Sequence, residues 1–407
     1  MNSVIQFWRF IAGSARVVAR GSVGYYAWIA LLGAMIVIGL FAYANQLQNG
    51  LIVTNMRDQI SWGFYIGNFA FLVGVAAAAV ILVIPAYVYQ WGPIKEVVLL
   101  GEIMAVSAII MCMLFVSIDV GRPDRLWHLF PVVGNPHFPH SLLVWDILVL
   151  NAYFAINYFV VTYLVFKSYT GQRYNAAFIM PVIFLSIPLA VSIHTVTAFL
   201  FMGLKARPFW NSAILAPRFL ASAFCSGPAL LVLIFQILRS VRPIKISDAA
   251  LRKIGELLAY AMAANLFFLA CEVFRDFYSA SASAHTIHAE FQWFGLEEHG
   301  IAGYTWVALA CNSIAFAIFL VPTLRNRLPV LSAGCVLAIV GVFTEKGLGL
   351  LLPGLTPDAL GEVYRYAPSA NEILVGAGVW GIGALCFTLM SKVAIAITLG
   401  EFRYRPR

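Results

Sequence analysis

Charge is what this sequence has least of. Asp, Glu, Lys and Arg make up 11% of its 407 residues, against about 25% in a soluble domain. Hydrophobic residues supply 62%, and the mean hydropathy is +0.87. A water-soluble fold of this length could not bury so much apolar surface. Period-2 alternation of apolar and polar residues is lacking too, which argues against a membrane barrel. In lipid the backbone must satisfy its own hydrogen bonds, and long apolar runs do so as helices.

Paired cysteines are missing. Cys112, Cys225, Cys271, Cys311, Cys335 and Cys386 fall singly in apolar segments, with no Cys-x-x-Cys among them. An iron–sulfur cluster or zinc site held by this chain is therefore not expected, and the cysteines read as small buried apolar residues. Histidine is scarce inside the apolar runs: of seven, His194 alone lies well within one. Haem of the b type commonly needs two histidines on facing helices, so no haem is expected. His128, His137, His140, His285, His288 and His299 fall in loops and read as surface or partner-facing.

What is present is a series of about ten apolar stretches. The expected spans are 24–44, 63–89, 97–118, 142–165, 178–202, 213–238, 254–278, 304–321, 329–352 and 373–397. Each approaches or exceeds the ~20 residues that cross a bilayer core. The fold class is all-α integral membrane protein. Residues 1–23 read as an amphipathic interfacial segment, with Phe7, Trp8 and Phe10 beside arginines. Residues 24–397 form the membrane domain and 398–407 a basic tail. The run ending Ala42-Tyr43-Ala44 is longer than a signal-peptide core, so it reads as a retained first helix.

The net charge of +8 sits in loops between spans, which points to membrane orientation rather than nucleic acid. Of 26 Lys and Arg, 17 fall on the side that holds both termini, which predicts cytoplasmic termini. The opposite side carries the long loops 119–141, 279–303 and 353–372, an arrangement suited to a docking partner.

Each ionisable side chain within a span costs about 2.5–3.5 kcal/mol on insertion scales and needs a reason to be there. The candidates are Asp146, His194, Glu272 and Glu345, with Asp119 and Arg122 at a helix end. Asp146, Tyr153 and Asn157 share one helical face by their spacing of seven and four. Asn265 and Glu272 share another, followed by Arg275 and Asp276. Packing between helices is the competing explanation for the amides and Tyr153. Pro181 and Pro188 precede His194 and are expected to kink its helix, exposing carbonyls. Asp119 can pair with Arg122 or Arg125. Glu102 and Glu256, near the opposite side, could begin a proton route or snorkel to the interface.

The segment Asp119-Val-Gly-Arg-Pro-Asp-Arg-Leu-Trp-His128 resembles the helix-end motif of the NrfD/PsrC family, the polysulfide-reductase-type membrane subunits. Ala190-Val-Ser-Ile-His-Thr-Val-Thr197, Pro208-Phe-Trp-Asn211, Ala216-Pro-Arg-Phe219 and Ser226-Gly227 are similar to its ten-helix members. The wording is closest to the DsrP type, a membrane subunit of DsrMKJOP complexes in sulfur metabolism. Ala198-Phe199 and Arg218-Phe219 depart from the ActC type of alternative complex III.

The resemblance implies two packed four-helix bundles with two peripheral helices, in a bacterial or archaeal cytoplasmic membrane. It implies a quinone, menaquinone or ubiquinone, as substrate, and a ferredoxin-like iron–sulfur subunit docked on the outer face among other membrane and cytochrome subunits. His194, Asp146 and Glu272 are then the expected catalytic residues. Asp119, Arg122, Tyr153, Asn157 and Ser192 are the expected quinone-binding ones, and no metal ligand is expected. Two other readings fit the residues: a secondary transporter or proton pathway, and a structural anchor for a redox assembly.

Overall fold

The computed structural model describes residues 2–95, 97–130, 132–278, 284–295 and 301–404. The stretch Glu297-Glu298-His299-Gly300, Arg405 and Arg407 lie outside them. The described residues are helical and contain no strand. An N-terminal helix α1 (Asn2–Val18) leads to α2 (Val23–Asn49), α3 (Phe64–Val83), the single turn α4 (Gly92–Lys95) and α5 (Val98–Asp119). Next come α6 (Leu142–Thr170), α7 (Ala176–Met202), α8 (Leu215–Val241) and α9 (Asp248–Tyr278). The last third holds α10 (Ala284–Trp293), α11 (Ala302–Leu320), the turn α12 (Pro322–Arg325), α13 (Leu328–Lys346), α14 (Leu348–Leu355) and α15 (Ala370–Thr398).

Ten of these helices are long and apolar enough to span a membrane: α2, α3, α5 to α9, α11, α13 and α15. This matches the ten expected spans, and the chain is a multi-span membrane protein. Several helices outrun the apolar stretches. The seventh begins at Asp248, not 254, and the fourth continues to Thr170. Polar end turns keep the helical hydrogen bonds beyond the apolar core, so hydropathy does not register them.

Helix α3 is central. Nearly all its side chains are buried, and α5, α7, α8, α13 and α15 pack against it. Small residues permit this: a Cβ added to Gly227 of α8 would clash with the methyl of Ala78. Helix α8 also touches α7, α9 and α13, while α6 packs on α7 and α11 on α9 and α13. Helix α2 lies outside this core along α15, where Gly39 and Gly378 meet backbone to backbone. Such small-residue contacts substitute for the hydrophobic drive that lipid removes. The amphipathic α1 docks through Phe10, whose ring meets Phe166, Tyr169 and Phe402.

Consecutive spans alternate in direction. The starts of α6 and α8 and the ends of α5, α7, α9 and α13 therefore share one face, the long-loop face. Both termini share the other. Helix α7 runs from Ala176 to Met202 with Pro181 and Pro188 inside it. The missing proline donors leave its helical assignment intact.

Candidate functional site

Two polar sets occupy the long-loop half of the bundle, with a lysine between them. The first lies between α6 and α7. Asp146 and His194 are both fully buried. Asp146 sits one turn into α6, and Thr197 Oγ1 donates to its Oδ1 at 2.7 Å. One helical turn before Thr197, His194 Nδ1 bonds the Ala190 carbonyl at 2.9 Å. A carbonyl only accepts, so Nδ1 carries the proton, and in the neutral ring Nε2 is left as an acceptor. That Nε2 and Asp146 Oδ2 are buried with no hydrogen-bond partner among the described residues. Buried polar atoms are nearly always paired, so each of these orphaned acceptors is open to a further donor.

The second set is built around Arg218, in the first turn of α8. Its Nη1 contacts Glu272 Oε2 on α9. Its Nε and Nη2 both donate to Glu345 Oε1 on α13, at 3.1 and 2.8 Å. Glu345 Oε2 accepts from Asn312 Nδ2 at 2.8 Å and from Asn265 Nδ2 at 3.3 Å. One guanidinium thus ties three helices, and the amides of α9 and α11 fill the remaining lone pairs. Arg275 and Asp276 form a neighbouring pair, Nε to Oδ1 at 2.8 Å.

Lys346 stands between the sets. It is buried, donates to the Phe219 carbonyl at 2.8 Å, and lies 4.6 Å from the Phe219 ring centre. Gly74 of α3 lies beside it, where an added Cβ would stand 3.5 Å from Nζ, an ordinary contact. Its charge is close enough to act on His194 and on Glu345. Formal charges therefore balance across Arg218, Lys346, Glu272 and Glu345, as burial requires.

Three adjoining crevices share Arg218 and Gln292 in their walls. Phe209, Leu215 and Leu350 add apolar wall to two of them, and Glu272, Glu345 and Lys346 supply polar wall. His194 and Asp146 are not among these lining residues. His288, expected at the surface, is instead buried on the long-loop face. Its Nδ1 bonds the Thr356 carbonyl at 3.4 Å, and its ring lies 6.2 Å from that of Phe209. Burial holds this imidazole below its ordinary range.

The other expected residues are placed as follows. Glu272 belongs with Arg218, and no hydrogen bond joins it to His194 or Asp146 among the described residues. Neither carboxylate orients His194; its own helix does, because an i−4 carbonyl is within reach of Nδ1. Tyr153 donates to the Ala76 carbonyl of α3 at 3.3 Å, and Asn157 to the Tyr153 carbonyl of its own helix at 2.8 Å. Ser192 returns its hydroxyl to the Pro188 carbonyl at 2.8 Å.

Arg122 makes a bidentate, exposed pair with Asp124 rather than Asp119, because the turn at Gly121 and Pro123 carries it away from the helix end. Asp119 Oδ1 is left buried without a hydrogen-bond partner among the described residues. Glu256 pairs with Lys253 at 3.1 Å, whereas Glu102 is buried with Oε2 unpaired. Sequence reasoning misses Arg218, Lys346, Asn312 and Gln292 as site residues. The signal available is Glu345-Lys346 at the end of an apolar run.

A ten-span helical bundle with a balanced, buried layer of titratable groups at one face defines a polytopic membrane protein. The chain belongs to the NrfD family: the profile described as "Polysulphide reductase, NrfD" matches residues 52–356. It is 29% identical to a putative membrane subunit of dimethyl sulfoxide reductase from Halobacterium salinarum, across 93% of this chain and 91% of that one. It is 23% identical to the "Hdr-like menaquinol oxidoreductase integral membrane subunit" of Archaeoglobus fulgidus, across 91% and 93%. With a selenate reductase subunit of Mesobacillus selenatarsenatis it shares 21% identity, across 89% and 92%.

Proposed function

We propose that this chain is the quinone-reactive membrane subunit of a multi-subunit oxidoreductase. The observation that carries this reading is the pair of orphaned buried acceptors, His194 Nε2 and Asp146 Oδ2. Oxidising a quinol releases two protons and two electrons, so its site needs two acceptors for hydroxyl protons in an apolar setting. His194 Nε2 takes one hydroxyl proton and Asp146 Oδ2 the other, while Thr197 holds Asp146 in place. Both electrons leave to an iron–sulfur centre of a partner, ferredoxin-like and docked on the long-loop face. Lys346 and the carboxylates that Arg218 holds, Glu272 and Glu345, carry protons between this pair and the crevices. Reduction of a quinone runs the same transfers backwards.

The family membership, and relatives named as subunits of dimethyl sulfoxide, selenate and menaquinol enzymes, support this reading. Menaquinone is the substrate favoured by the relatives whose names include it. We place both termini in the cytoplasm and the long-loop face outside, on the distribution of Lys and Arg. A DsrP-type place in sulfur metabolism is the finer proposal, and co-purification with the other DsrMKJOP subunits tests it. The function itself is tested by extracting quinone from the purified complex and measuring inhibitor-sensitive quinol oxidation. Co-purified iron–sulfur protein with no quinone and no turnover would leave a structural anchor instead.

A further inference from the structure

A separate cavity opens on the terminus face, away from the polar sets described above. It encloses about 960 Å³ with its open mouth included. Its rim carries Lys95, Lys167 and Arg173, and Tyr87 and Tyr174 stand in its wall. Leu99 and Leu164, from the first turn of α5 and the last turns of α6, make an apolar side. No carboxylate lines it among the described residues; Glu96 lies outside them.

The local sequence explains the opening. Past Val83, α3 widens into a π turn over Ile84–Val88, with Tyr89 N–H bonding the Ile84 carbonyl five residues back. Pro85 lies in that turn and cannot donate a hydrogen bond, and wide turns of this kind recur at functional sites. On the other side α6 ends at Gly171 in a left-handed cap. The chain then turns through Gln172-Arg173-Tyr174 before α7 starts. Lys167 Nζ reaches back to Gln172 Oε1 at 2.8 Å and Lys95 Nζ contacts Gln90 Oε1. Neither lysine has a carboxylate partner among the described residues, and Arg173 makes no ion pair there.

We propose that this cavity binds the phosphate of an anionic phospholipid. Three cations without carboxylate partners, at the level where spanning helices end, suit a phosphodiester, and the tyrosine hydroxyls can donate to phosphate or ester oxygens. The apolar side gives the first acyl carbons a wall, which a free phosphate does not need. The cavity lies on the face richest in Lys and Arg, where a leaflet of anionic lipid holds basic pockets of this kind.

The test uses the full chain, purified with its partners and stripped of lipid by detergent exchange. Phosphatidylglycerol, phosphatidylcholine and inorganic phosphate are added back separately, with native mass spectrometry and thermal unfolding as readouts. Phosphatidylglycerol is expected to bind and raise the melting temperature, with phosphatidylcholine and phosphate doing neither. K167Q/R173Q should weaken phosphatidylglycerol by about thirtyfold, near fivefold for each interfacial cation. K167R/R173K keeps both charges and should keep binding, which separates charge loss from misfolding. Equal binding of phosphatidylcholine, equal stabilisation by inorganic phosphate, or unchanged binding in K167Q/R173Q would each overturn the proposal. Quinol turnover is not a readout here, so failure of this site leaves the quinone reading untouched.

Discussion

Arg218 grips Glu345 through two of its nitrogens on a single carboxylate oxygen, Nε at 3.1 Å and Nη2 at 2.8 Å. The geometry leaves Nη1 for Glu272, so one residue of α8 neutralises carboxylates from α9 and α13. Removing a buried partner costs more than the pair contributes, because the remaining charge stays behind without water.

Arg218→Met should therefore destabilise the protein by about 3–5 kcal/mol, with two carboxylates left uncompensated. Arg218→Met combined with Glu272→Gln and Glu345→Gln should recover most of that loss. Thermal unfolding in detergent measures both. A triple variant no more stable than the single one would show that the network is not acting through charge balance.

Thr197 Oγ1 is the sole hydrogen-bond donor to Asp146 among the described residues. Thr197→Val keeps the shape and removes that donor, and a buried acceptor stripped of its bond costs about 1–3 kcal/mol. Thr197→Ser should stay close to wild type. Equal melting temperatures for the Val and Ser variants would mean that water already serves Asp146.

His288 predicts a pH dependence on the long-loop face. Burial is the main cause of its lowered proton affinity, and Arg207 and His285 push the same way against the Thr356 and Pro353 carbonyls. The released segment binds a proton more readily than the docked one. Docking is therefore strongest above about pH 6.5, the ordinary imidazole value, and weakens as pH falls below it. Protection of the 284–295 amides, taken relative to the intrinsic exchange rate at each pH, should fall between pH 7.5 and 5.5 in the wild type. His288→Gln should flatten that dependence.

The membrane class, the number of spans and the burial of His194 and Asp146 were legible because burying charge or exposing backbone in lipid is costly. Those costs leave marks in composition and spacing. The grouping of polar residues was not legible. Glu272 shares its helix with a stripe ending in Arg275 and Asp276, yet its partner comes from Arg218, 54 residues earlier in the chain. Arg218 and Lys346 count as orientation charges in the sequence because, near the end of an apolar run, a cation looks the same whether it snorkels or turns inward. His194 donating its hydrogen bond to a carbonyl of its own helix is a rotamer choice, which spacing does not encode. The same holds for Arg122, whose turn delivers it to Asp124 in place of Asp119.

The most direct test of the quinone reading is quinol oxidation by the purified complex carrying His194→Gln, which keeps the volume but not a basic ring nitrogen. If His194 Nε2 takes a hydroxyl proton, turnover should fall by about 10²–10⁴-fold, the range for loss of a general base. Assembly and bound quinone should be retained. Turnover equal to wild type in the intact variant complex would contradict that role and remove His194 from the site.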